Sequence, residues 1–194
     1  DVTAAVCEFE NKAPELIRTV TAYDEEQVRQ AAKLINEAQR PAAYFAGGVR
    51  SAAGCQPLRD LVYKADMPAT YTLMGTGVLD YGDPHNLGLI GMHGCYTANK
   101  AVSEADLVVA VGTRFSDRVA LNPDKFAAKA KIIQIDIDPS ELGKNVAVDL
   151  SLVGDAAYIL QAILPHLEQR YHMRWMEQIE QWQRNDYKPK DSDT

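Results

Sequence analysis

Three short apolar runs constrain this chain more than any other feature. Residues 42–46 (Ala-Ala-Tyr-Phe-Ala), 107–111 (Leu-Val-Val-Ala-Val) and 132–136 (Ile-Ile-Gln-Ile-Asp) show no alternation of apolar and polar residues. A strand with one wet face alternates, because successive side chains point to opposite sides of the sheet. A strand that reads as a continuous apolar run is covered on both faces, and that is the signature of a parallel sheet under helices. The runs end at Gly47-Gly48, at Gly112 and at Asp136.

Helical patterns fill the intervals. Asp24 can cap a helix, with Gln27 at the capping-box position. Val28, Ala31, Ala32, Ile35 and Ala38 then fall on one face, and Pro41 stops the helix. A second helix is expected over 56–64 with Leu58, Leu61 and Val62 inward. Shorter helices are expected over 97–104 and around 124–129. A last one, capped by Asp155, carries Ile159, Leu160, Ile163 and Leu164. Residues 68–72 read as another strand and 146–152 as a weaker edge strand. The glycine-rich stretch 75–94 reads as a long functional loop. The fold class is therefore α/β, Rossmann-like, a parallel sheet of about six strands with helices on both faces and right-handed crossovers.

At 194 residues the chain suits one domain and can bury roughly 70% of its unfolded surface. We divide it into an inter-domain arm (1–20), a central α/β domain (21–167) and an outgoing linker segment (168–194) that is a helix followed by a disordered end. The net charge of −7 argues against nucleic acid or an anionic membrane as main partner. Three cysteines, Cys7, Cys55 and Cys95, form no CxxC pair, so a reducing, cytoplasmic setting is the simplest reading. No run of about 18 apolar residues spans a membrane. The chain opens on Asp1 rather than Met, so a fragment of a longer protein is expected.

In doubly wound folds ligands sit beyond the carboxyl ends of the strands. Those ends carry Gly47-Gly48, Thr72-Leu73-Met74, Gly112-Thr113-Arg114 and Asp136-Ile137-Asp138. Gly47 and Gly48 let backbone amides approach a phosphate, or simply turn a strand into a helix. Asp136 can accept from ribose hydroxyls or cap the next turn, and Asp138 suits the capping role better. Arg114 and Arg118, flanking Asp117, can hold a pyrophosphate bidentately, or form an Asp–Arg surface pair worth at most about 1 kcal/mol. His93 is a lone histidine, without metal-ligand spacing around it. His85, His166 and His172 have no functional context.

Six stretches occur in one order. They are Thr72-Leu73-Met74-Gly75-Thr76-Gly77, Leu89-Ile90-Gly91-Met92-His93-Gly94, Ala98-Asn99-Lys100-Ala101-Val102, Gly112-Thr113-Arg114-Phe115-Ser116-Asp117-Arg118-Val119, Ile135-Asp136-Ile137-Asp138 and Glu141-Leu142-Gly143-Lys144-Asn145. Over 24–164 this series resembles the acetohydroxyacid (acetolactate) synthase large subunit. In that family three α/β domains follow one another; the outer two bind thiamine diphosphate and a divalent metal, Mg2+, across a subunit interface, and the middle one binds FAD. The resemblance implies that this chain is the middle one. It implies that Gly47 and Gly48 approach the flavin cofactor's phosphates or ribityl chain. Thr72, Leu73, Met74, Ile90, Gly91, Met92, His93, Gly112, Thr113, Arg114, Phe115 and Ser116 then line the cofactor. Asp136, Ile137, Asp155 and Ala156 meet its adenosine half. Asp117 and Arg118 lie near the mouth of a substrate channel.

The whole enzyme, as the resemblance implies, is a transferase that joins a two-carbon unit from pyruvate to a second 2-ketoacid in branched-chain amino acid biosynthesis. Its flavin is structural, and its partners are the flanking domains, a second copy in a homodimer or homotetramer, and a regulatory subunit. Two departures matter. Ala46-Gly47-Gly48 stands where many relatives have three glycines. The thiamine-diphosphate signature is expected to be absent, Gly154-Asp155-Ala156 with Asn185 being only a chance mimic, so the fragment is expected to be inactive and to lack a catalytic residue. The flavin-free alternative is the central domain of a catabolic acetolactate synthase or a 2-ketoacid decarboxylase.

Overall fold

A computed structural model describes residues 23–186 apart from 52, 121 and 123–125. The expected arm at 1–20 and the end of the linker segment at 187–194 lie outside the described residues.

Helix α1 (Glu25–Glu37) begins where Asp24 Oδ1 accepts the backbone N–H of Glu26 at 2.8 Å. It buries Val28, Ala31, Ala32 and Ile35. The remaining elements follow as β1 (Pro41–Phe45), α2 (Gly47–Ser51), α3 (Cys55–Lys64), β2 (Ala69–Tyr71), β3 (Asn86–Leu89), α4 (Tyr96–Glu104), β4 (Leu107–Val111), β5 (Lys131–Asp136), β6 (Leu150–Val153), α5 (Ala156–Ile163) and α6 (Met173–Asp186). Strands β1 and β4 are buried at every position, as their unbroken apolar runs require.

The six strands form one sheet in the order β3-β2-β1-β4-β5-β6, and every pairing is parallel. Alternation along each strand divides the core between the two faces. Phe45, Val109, Val111, Ile133, Ile135 and Leu152 pack under α1, α3 and α5. Tyr44, Val108, Ala110 and Ile132 pack under α4 and α6.

Three expectations differ in detail. Strand β3 lies inside the stretch read as a loop. It is four residues long, at the sheet edge, with an irregular register against β2 and Gly88 at φ +82°. Asparagine and glycine carry little strand propensity, so pairing with β2, not local preference, makes it a strand. The edge strand expected over 146–152 is confined to β6, whose alternating burial is that of a strand covered on one side. Of the helix expected around 124–129, the described part, 126–129, is a turn.

The segment past 168 holds the helix expected there, and α6 is packed against the domain. Trp175 and Ile179 are buried on the second face of the sheet, and Trp175 Nε1 donates to the Pro41 carbonyl at 3.0 Å. Among the described residues no helix is long and apolar enough to cross a membrane.

Candidate functional site

The chain winds outward from β1 through β2 to β3, then returns to place β4 on the other side of β1. Connections leaving the carboxyl ends of β1 and β4 therefore diverge, and a crevice opens between them. A cavity of about 570 Å3 occupies this position. Its lining includes Gly47, Gly48, Thr72, Leu73, Met74, Gly112, Thr113, Arg114 and Ser116, so nine of the residues picked from the sequence converge on one space.

Two glycines set its narrow side. The Gly48 N–H donates to the Gly112 carbonyl at 3.3 Å. A Cβ on Gly48 would stand 2.6 Å from Gly112 Cα, and one on Gly112 the same distance from Gly48 Cα. Gly112 also has φ +57°, which side chains disfavour. Gly47 and Gly48 are thus both a strand-to-helix turn, since α2 starts there, and a close backbone approach at the cavity edge.

Leu73 and Met74, of the 3-10 turn Leu73–Gly75, form a further part of its wall. Leu73 is 74% and Met74 65% exposed, an apolar surface facing open space. Tyr44 was not picked from the sequence. It also lines the cavity, and its phenol and the Thr113 hydroxyl are buried without a hydrogen-bond partner. Burial pushes the Tyr44 phenol up to about 12, an effect that the neighbouring Thr113 hydroxyl opposes. The two hydroxyls are close enough to feel each other but do not meet in hydrogen-bonding geometry.

Three side-chain amides hold the loops that carry the candidate residues. Asn99 bonds both the N–H and the carbonyl of Gly91 at 3.0 Å, on a glycine at φ +105°. Gln134, fully buried in β5, donates to the Thr113 carbonyl at 3.2 Å and the Glu141 carbonyl at 3.1 Å, and accepts from the Gly143 N–H at 2.9 Å. Asn145 donates to the Arg114 carbonyl at 2.8 Å. A glutamine inside an apolar strand is a signal visible in the sequence, because a buried amide needs partners, whereas nothing local marks the roles of Asn99 and Asn145.

The other candidates do not line the cavity. Ile90 is buried in the core, and Met92 and His93 are exposed. Their loop is tied to the stretch of Asp117 and Arg118 by the Met92 N–H, which donates to the Arg118 carbonyl at 2.9 Å. The Phe115 ring is buried against Tyr44 and Phe126, at centroid distances of 5.5 Å each, and its backbone sits at φ +47°. It anchors the loop from inside. Asp155 accepts the Ala157 N–H at 2.8 Å as the cap of α5, and Ala156 is buried. The surface pair between Asp117 and an arginine does not form among the described residues.

Asp136 stands at the carboxyl end of β5, where its Oδ1 accepts the Asp138 N–H at 3.0 Å. Partial burial raises its carboxyl above the ordinary range. Asp138 caps the next turn through Ser140, as expected. The Ser140 hydroxyl holds its carboxyl below the usual range, and the Arg114 charge adds to this. Ile137 is exposed beside it.

An all-parallel sheet in this order, with a glycine-edged cavity at its switch point, defines a doubly wound α/β domain. Over residues 28–163 the sequence matches the family model described as thiamine pyrophosphate enzyme, central domain, and the chain belongs to that family. It is 45% identical over 156 residues to a probable acetolactate synthase large subunit of Methanocaldococcus jannaschii, covering 79% of this chain and 26% of that protein. It is 39% identical over 171 residues to an acetolactate synthase large subunit of Pyropia yezoensis, with 85% and 29% covered. Against acetolactate synthase isozyme 1 large subunit of Escherichia coli the figures are 37% over 185 residues, with 95% and 33% covered. The chain thus spans no more than about a third of these relatives' length.

Proposed function

We propose that this chain is the central domain of a cytoplasmic, thiamine-diphosphate-dependent acetolactate synthase, and that the cavity between β1 and β4 takes FAD. The observation that carries the flavin reading is the convergence of Gly47, Gly48, Thr72, Leu73, Met74, Gly112, Thr113, Arg114 and Ser116 on one cavity at the switch point of the sheet. Ligands of doubly wound sheets sit at this point, and the Gly48–Gly112 contact, which leaves no room for a Cβ on either residue, brings the ends of β1 and β4 together beside it. In this reading FAD supplies a structural filling, and the carboligation of pyruvate with a second 2-ketoacid is carried out by thiamine diphosphate and Mg2+ held by other domains of a homo-oligomeric enzyme.

This chain's residues then bind and orient. Gly47, Gly48 and Gly112 admit the cofactor's backbone-facing groups. Arg114 offers a guanidinium at the rim to a phosphate. Leu73 and Met74 cover an apolar part and exclude water. Asp136 takes a ribose hydroxyl.

The test is a titration of the chain with FAD, followed by flavin fluorescence and thermal shift. Saturable binding that weakens at least about tenfold in Gly112→Ala or Arg114→Ala is the expected result. Failure of both this chain and the longer enzyme to bind FAD would leave the flavin-free branch of the family in its place.

A further inference from the structure

A second concave feature lies at the opposite edge of the sheet, where the chain enters β1 and leaves α4. A cleft of about 460 Å3 runs between α4 and α6, lined by Gln39, Arg40, Lys100, Arg174, Trp175 and Trp182 among others. Its floor is fixed. Trp175 is 5% exposed and its indole is bonded to the Pro41 carbonyl. The half-buried Trp182 ring meets it edge-on at 5.7 Å between centroids. Asp106 spends both carboxylate oxygens on the backbone N–H groups of Gln39 and Arg40, at 2.9 Å each, which holds the turn from which Arg40 projects.

The charges in the cleft do not balance. Lys100 bonds Glu104 at 3.2 Å and stands 5.9 Å from the Trp182 centroid, and Glu104 is shared with Lys129. Among the described residues the guanidinium groups of Arg40 and Arg174 make no ion pair and no hydrogen bond. Three cations thus face one shared carboxylate, in a chain whose net charge is −7. Guanidinium groups grip phosphate bidentately, and the partly exposed Trp182 indole, with Lys100 beside it, offers a ring on which a planar group stacks. The volume lies in the range of small-ligand sites, roughly 300–1,000 Å3.

We propose that the α4–α6 cleft is a second binding site, for a planar phosphorylated ligand of mononucleotide size. It is separate from the cavity assigned above, and the probe is chosen to keep the two apart: uridine monophosphate is not a fragment of FAD. The chain's two tryptophans both line this cleft, so tryptophan fluorescence of the 194-residue chain reports on it alone. The proposal expects a saturable fluorescence change with uridine monophosphate. The response should be at least about tenfold weaker with inorganic phosphate or with uridine, and lost to the same degree in the Arg40→Gln/Arg174→Gln double variant. Both arginines are exposed, so the variant keeps the fold, which its melting temperature verifies. No saturable change, a change unaltered in the double variant, or phosphate alone binding as tightly overturns the proposal.

Discussion

At the scale of single residues, the site is built from positions whose cost to the fold is visible. Asp136 is an example: partial burial raises its carboxyl, so its ionised form at neutral pH is held against the fold's preference. A residue that is unfavourable for stability at a strand end is the kind a binding site retains. Asp136→Asn keeps an oxygen to accept the Asp138 N–H but removes the charge. It is expected to raise the melting temperature at pH 7 while weakening FAD binding. A variant that melts lower and binds FAD normally would show that Asp136 is only a turn residue. Gly48 and Gly112 carry the same logic in steric form, since each leaves no room for a Cβ on the other's side.

At the scale of elements, the least expected partnership joins α6 to α4. The N-terminus of α4 has no cap from its own Cys95. Asp186, at the far end of α6, takes the Thr97 backbone N–H at 2.8 Å and also its hydroxyl, and so supplies an acceptor from another element. Loss of a helix cap costs about 1 kcal/mol, which for a chain of this size is about 2–4 °C in melting temperature. Asp186→Ala should show that drop, together with faster amide exchange at the start of α4. An unchanged melting temperature would mean that α6 is held by Trp175 and Ile179 alone.

At the scale of the molecule, titrating side chains bracket the stable pH range. The unfolded Tyr44 phenol ionises near 10.0, whereas the buried one keeps its proton to about 12. The unfolded chain therefore loses this proton first, and stability that is full below pH 10 falls as the pH rises toward 12. Tyr63, raised to about 12 by donating to Asp83, adds loss in the same window. On the acid side, burial lowers His172 from 6.5. Its contribution is present above that value and is lost as the pH falls below it. Melting temperature against pH should thus decline on both limbs. Tyr44→Phe should flatten the alkaline limb and His172→Asn the acid limb, and a limb untouched by its substitution removes that residue from the account.

The sequence by itself determined the layers and the principal strands. Unbroken apolar runs such as 107–111 have no stable place except under cover on both faces, and the helical stripes of Val28 to Ile35 and Leu58 to Val62 supply that cover. The caps Asp24, Asp138 and Asp155 were legible because a cap acts within two or three residues of itself. Eight cavity residues were legible because strand ends are local features and parallel strands carry theirs to one edge, and the ninth, Ser116, was implied only by the family resemblance. The tertiary structure alone decided the rest. Strand β3 exists because β2 pairs with it, and Gln134, Asn99 and Asn145 matter through partners distant in sequence or set by the loop's shape. Tyr44 reaches the cavity only after β1 and β4 lie side by side. Asp186 caps a helix that begins 90 residues before it. Local chemistry reads along the chain; which distant segments meet is fixed by the packing of both faces of the sheet at once.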